Sequence, residues 1–301
     1  MPSPHLVSAL VDTIARENAL QVPFLQSSLQ EILAEELDEL EAYLQFCQGQ
    51  GLELGYLGRC YNTIVRDTLR EQVFFQRYGR YRYHTYAEVA NSVYLNDEYM
   101  HLYMYGLALT TYLWPNHRRI RRFFVEVLPR TSRGRYLEVG PGHGVFFLAA
   151  LRLASFATFE GVDISPTSCA MTESIVASGY FGKFANVRIS CKDFLSDDVG
   201  KASYAAIVMG EVLEHVEQPL RFLEKVQVAC EVGGFAFVTT AINAPAVDHI
   251  FLYESPSAVT DMVNRAGLRI QAQLVVPYAG LSLEESLRTR MPVNIALALS
   301  T

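Results

Sequence analysis

Residues 135–144, Arg-Tyr-Leu-Glu-Val-Gly-Pro-Gly-His-Gly, constrain this chain more than any other stretch. A short apolar run (Tyr136, Leu137, Val139) carries an acid, Glu138, into a turn with glycines at 140, 142 and 144. An apolar, helix-like stretch from Val145 to Ala154 follows. Strand, glycine turn and helix in that order bring a nucleotide-like ligand against bare backbone, because glycine has no Cβ and tolerates positive φ. Spacing narrows the ligand. A dinucleotide fingerprint built on Gly140 and Gly142 requires glycine at 145, where the chain has Val145. A phosphate loop requires Lys and then Ser or Thr after its last glycine, and Gly144 is followed by Val145 and Phe146.

Four more segments follow in order. Phe159-Glu-Gly-Val-Asp163-Ile-Ser-Pro is a second apolar run ending in an acid, with Ser165 and Pro166 as a helix start. An acid at the tip of a second strand can accept both hydroxyls of a ribose. Asn186 to Phe194 reads as a third strand closed by Asp193-Phe194. Tyr204 to Val216 reads as a fourth strand running into Glu211-Val-Leu-Glu214-His215, and Gly233 to Thr240 as a fifth after a helix at 218–230. Ser255-Pro256 caps a helix ending at Ala266-Gly267, and 269–276 and 293–300 read as strands six and seven.

This series closely resembles the class I S-adenosylmethionine-dependent methyltransferases, small-molecule or natural-product group, over residues 135–301. The resemblance implies an α/β, Rossmann-like seven-stranded sheet, mostly parallel with the last strand antiparallel, carrying an all-helical N-terminal cap. It implies S-adenosylmethionine as cofactor, bound by Glu138, Gly140, Gly142, Gly144, Asp163, Ile164, Asp193, Phe194 and Glu211, with Asp193 facing the adenine amino group. His249 and His215 are the candidate catalytic residues. His249 follows the fifth strand beside Asp248, a neighbour able to orient or tune a base; in many relatives the histidine at the place of His215 packs structurally. Some relatives hold a divalent metal with Glu-x-x-Glu-His and a later His, which here would be Glu211, Glu214, His215 and His249. No metal is assigned.

Residues 1–130 read as a helical cap that carries substrate and dimerisation functions, and residues 131–301 as the cofactor domain, with a polar hinge at Leu128-Pro129-Arg130-Thr131-Ser132. Apolar residues at 29, 32, 33, 37, 40 and 44 mark one helical face. Nine tyrosines between Tyr78 and Tyr112 suit core packing, a pocket wall for an aromatic or amphipathic substrate, or a homodimer interface.

Five cysteines without paired spacing read as reduced thiols of a cytoplasmic protein, and no apolar run reaches membrane-span length. The net charge of −7 hides seven arginines between residues 116 and 135 set against Glu126 alone. That stripe serves either a solvated helix face or an anionic partner, and the overall negative charge makes nucleic acid the weaker choice. The expected activity is methyl transfer to a carbon, nitrogen or oxygen of a small molecule, in secondary-metabolite biosynthesis. The alternatives are an RNA or protein methyltransferase using the 116–135 stripe, or a non-catalytic binding partner of the same fold.

Overall fold

Apolar runs buried on both faces demand a sheet covered by helices on each side. The computed structural model, which describes residues 5–130 and 133–301, has that arrangement. Of the expected hinge, residues 131 and 132 lie outside the described residues. The strands are β1 (Arg135–Val139), β2 (Thr158–Asp163), β3 (Val187–Cys191), β4 (Tyr204–Gly210), β5 (Cys230–Ile242), β6 (Arg269–Val276) and β7 (Val293–Ser300). They form one sheet in the order β3-β2-β1-β4-β5-β7-β6, and β7 runs antiparallel to both neighbours. Strand order reverses at β1 and β4, so a crevice opens outside their carboxyl ends, where ligands bind in sheets of this kind.

Among the described residues, seven α-helices precede β1: α1 (His5–Glu17), α2 (Val22–Gln30), α3 (Ala34–Gly49), α4 (Leu54–Tyr78), α5 (Tyr86–Val89), α6 (Asp97–Leu113) and α7 (Pro115–Val127). A π-helical turn at Ala90–Tyr94 links α5 to α6. The remaining helices are α8 (Val145–Leu153), α9 (Pro166–Ala177), α10 (Pro219–Ala229), α11 (Pro256–Arg265) and α12 (Leu283–Arg288). Sequence signals at two of these starts are realised. The Ser165 and Ser255 side chains accept from Ser168 N and Ala258 N, with Pro166 and Pro256 next in line.

The cap and the sheet share hydrophobic core. Leu10, Leu40, Tyr43 and Leu109 of the cap pack in one cluster with Val145, Leu148 and Ile175 of α8 and α9. Helix α7 lies on the sheet itself, where Phe124 meets Phe237 with ring centroids 5.0 Å apart.

The arginine stripe is divided: Arg119, Arg130 and Arg133 are exposed, whereas Arg118 and Arg121 are buried. Arg118 is buried and donates to Ser28 Oγ at 2.7 Å, Tyr112 O at 2.8 Å and Ser28 O at 2.9 Å. Arg122 pairs with Glu36 at 2.5 Å and Arg121 with Glu39, both acids of α3. Arg130 donates to the carbonyls of Val125 and Leu153, and Arg135 pairs with Glu160 at 2.6 Å. The pairs of Arg118, Arg121 and Arg122 with Glu36 and Glu39 staple α3 to α7. Among the described residues no helix is long and apolar enough to cross a membrane.

Candidate active site

A cavity of about 380 Å³ opens at the carboxyl ends of β1, β2, β4 and β5 beneath the cap. Glu138, Gly140, Gly142, Asp163, Ile164, Asp193, Phe194, Glu211, His215 and His249 all line it, so the fold brings the sequence candidates to one place. Gly144 is the exception. It starts α8 at φ +77°, and a Cβ there would lie 3.2 Å from the Cα of Thr172, so its glycine serves the packing of α8 on α9.

The glycine turn is built to bring backbone close. Gly140 and Gly142 sit at φ +69° and +55°, a region that disfavours L side chains. A Cβ on Gly142 would stand 3.4 Å from the Met104 sulfur, which descends from α6 onto the turn. Asp163 fastens the turn from the next strand: Gly142 N donates to its Oδ2 at 3.1 Å and Ser165 N to its Oδ1 at 2.9 Å. Burial pushes the Asp163 carboxyl up to about 6, although these N–H donors pull the other way. Glu138 accepts from the Tyr136 hydroxyl, and burial pushes it up to about 8. Asp193 accepts from Leu195 N at 2.9 Å, and the Phe194 ring packs on Phe222 with centroids 5.7 Å apart.

Strain marks the β4 end of the cavity. Glu211 leaves β4 at φ +51°, unusual for a residue with a Cβ, and its N–H donates to Thr239 Oγ1 at 2.9 Å. Burial raises its carboxyl, and burial together with Glu211 pushes Glu214 well up. Oε1 of each acid is buried without a hydrogen-bond partner, whereas Glu214 Oε2 accepts from Thr240 at 2.7 Å.

The histidines are held differently from the sequence expectation. Asp248 does not orient its chain neighbour His249. Its Oδ2 lies 3.3 Å from His215 Nδ1, and that nitrogen also faces Asp248 O at 3.2 Å. Both oxygens accept, so Nδ1 of His215 is the donor between them. The Tyr94 hydroxyl, 3.0 Å from the same nitrogen, therefore donates to Asp248 Oδ2 at 3.1 Å, and Tyr103 donates to Oδ1 at 2.9 Å. The physical reason is the loop after β5. Ile250 N and Phe251 N donate to Glu214 O at 2.9 and 3.0 Å, which docks the loop on the turn that bears His215. His249 instead donates from Nδ1 to Ala244 O at 2.5 Å, and its ring stands nearly perpendicular to that of His215 at 4.7 Å. Burial, with His215 adding to it, lowers His249 to about 3. One donor atom from each of Glu214, His215 and His249 falls within 4.8 Å of the others, so three of the four alternative metal ligands converge.

Several lining residues escaped sequence reading. Tyr94 and Tyr103 belong to the tyrosine cluster for which core, pocket wall and interface were all open, and Met104 carried no motif. His143 lies inside the glycine turn and His117 follows Trp114-Pro115; burial lowers both to about 4. The Trp-Pro helix start was the available signal for His117, since it places 116 and 117 at the sheet-facing start of α7.

Comparison with known proteins agrees with this geometry. The family model described as a methyltransferase domain matches residues 115–282. No curated protein matches the chain. Among solved structures, Haemonchus contortus phosphoethanolamine N-methyltransferase 2, with phosphomonomethylethanolamine and S-adenosylhomocysteine, superposes at a TM-score of 0.55 and 12% identity, covering 72% of this chain and 60% of that one. Geranyl diphosphate methyltransferase with GPP and sinefungin gives 0.50 at 15%, covering 64% and 80%. The cyclase SpnF gives 0.50 at 16%, covering 62% and 80%. These likenesses concern the fold. With the family model spanning more than half its length, from α7 through β6, the chain belongs to the methyltransferase domain family, the S-adenosylmethionine-dependent kind that its glycine turn resembles.

Proposed function

We propose that the chain binds S-adenosylmethionine at the Glu138–Asp163 end of the cavity and transfers its methyl group to a small molecule, a secondary metabolite, held under the cap. The observation that carries this reading is the single continuous cavity, which joins the glycine turn to a wall from α4 and α6. The cofactor fits the residues present: glycines 140 and 142 form a cradle that Cβ atoms would fill, Asp163 keeps lone pairs for a ribose, and Glu138 is poised for the methionyl ammonium. When bound, the sulfonium supplies an already activated methyl group. Much of the acceleration is then positioning and exclusion of water, which the cap performs.

His215 is the general base of this reading. Asp248 would fix its tautomer, and its Nε2 would take the acceptor's proton, while the bound cofactor would supply the methyl group. His249 presents its own Nε2 as a hydrogen-bond acceptor that orients the substrate, because a base near 3 is poorly matched to neutral pH. Dimerisation through the N-terminal helices belongs to the same reading; Leu69 and Val73 stand exposed one turn apart on α4. Incubation with methyl-labelled cofactor and a fractionated extract tests the function. Label in the small-molecule fraction is expected, and label only in RNA or protein would overturn it.

A further inference from the structure

The cavity wall selects the charge of what enters it. The acceptor end is faced by Ile64, Met100, Met104, Leu107, Trp114 and Val247, an apolar surface with a thioether and an indole in it. The carboxyl groups beside that surface are Asp67 on α4, Asp248 in the loop after β5 and, raised by burial, Glu211 after β4. Among the described residues, the one lysine or arginine that lines the cavity is Lys192, at the end of β3 on the adenosine side, where it pairs with Asp197 at 3.2 Å. Asp67 accepts from Tyr99 at 2.6 Å and meets Arg70 at 3.5 Å, but Arg70 does not line the cavity and its side chain is 58% exposed. Of the imidazoles on the wall, His117 and His143 are lowered by burial, and His215 is already paired with Asp248. Of the stripe at 118–135 no described arginine lines the cavity, and Arg118, Arg121, Arg122 and Arg135 pair with Glu36, Glu39 and Glu160.

Taking this site as the acceptor site proposed above, we infer that the acceptor is a lipophilic molecule whose head group is neutral or cationic, an alcohol or amine, and that it bears no phosphate, sulfate or carboxylate. An anion entering the cavity would leave water for a wall of acids with no partner to replace its hydration. An alcohol loses nothing comparable. An ammonium gains from Asp67 and Asp248 and gives up one proton to Nε2 of His215 before its nitrogen can attack.

The test uses the full chain saturated with S-adenosylhomocysteine and four probes on one stem: phenylbutylamine, phenylbutanol, phenylbutyrate and phenylbutyl phosphate. The amine and the alcohol are expected to bind at least ~10-fold more tightly than either anion in calorimetry. Thr68→Lys, which puts a cation into the α4 wall, is expected to narrow that gap. An anion that binds the native chain as tightly as the amine, no binding by any probe at millimolar concentration, or a gap unchanged in Thr68→Lys would each overturn the inference. Binding of S-adenosylhomocysteine alone is measured first. Its failure counts against the proposed function, whereas its success with the anions preferred counts against this inference only.

Discussion

Asp248 gives its carboxylate to His215, 3.3 Å away and 33 residues earlier in the chain, and not to the histidine beside it. Two tyrosines of the cap region hold that carboxylate, Tyr94 and Tyr103, so the cap completes the dyad.

This arrangement separates the two histidines experimentally. His215→Ala is expected to slow the methyl-transfer step by ~10²–10⁴-fold, the range for a positioned base. His249→Ala should act mainly on the acceptor's KM. Single-turnover rates for both variants, with S-adenosylhomocysteine affinity as a control, check the assignment. A large rate loss in His249→Ala with a near-normal rate in His215→Ala would reverse the roles.

Gly142→Val should abolish cofactor binding while the circular dichroism spectrum persists. A β-branched residue at φ +55° costs on the order of 1–3 kcal/mol in strain, and its side chain would press on Met104 where the ligand must lie. Titration calorimetry with S-adenosylhomocysteine reads the loss.

Arg118→Met should lower stability by ~3–5 kcal/mol, the cost of breaking a buried ion pair, because Ser28 and Tyr112 lose their donor and Glu36 loses one of its two arginines. Cofactor affinity should not follow. Turnover should likewise depend little on salt, whereas a chain tracking phosphates loses affinity steeply as salt rises. Thermal melts and a salt series check both statements.

Glu138 gives a pH signature. Its folded value, about 8, lies above the unfolded 4.5, so the stability it contributes is full below pH 4.5 and is lost as pH rises through 8. The buried histidines His117, His143 and His249 act oppositely, but only below about 6.5. Between pH 6.5 and 8 the melting temperature of the cofactor-free chain should therefore fall with rising pH, and Glu138→Gln should flatten that slope.

Elements with strong local signals were legible in the sequence. Arg269–Val276 and Val293–Ser300 are strands at the expected bounds, and Ser165 and Ser255 cap as their Ser-Pro pairs require. The cofactor candidates were legible too, because short strands deliver them to one sheet edge. Partnerships across long sequence separation were not. Nothing local to Asp248 says that its carboxylate turns to His215, since the decision belongs to how Ile250 and Phe251 dock on Glu214. The arginines at 118, 121 and 122 look like a surface stripe until α3 supplies Glu36 and Glu39. The tyrosines divide between core, as with Tyr81 and Tyr112, and cavity wall, as with Tyr86 and Tyr94, through tertiary packing alone.

The central claim is that the Glu138–Asp163 end of the cavity is a cofactor site, and calorimetry of S-adenosylhomocysteine with the native chain, Gly142→Val and Asp163→Ala tests it most directly. Saturable binding with one ligand per native chain, lost in both variants while their folds persist, is the predicted result. No binding to the native chain, or equal affinity in all three proteins, would contradict the account.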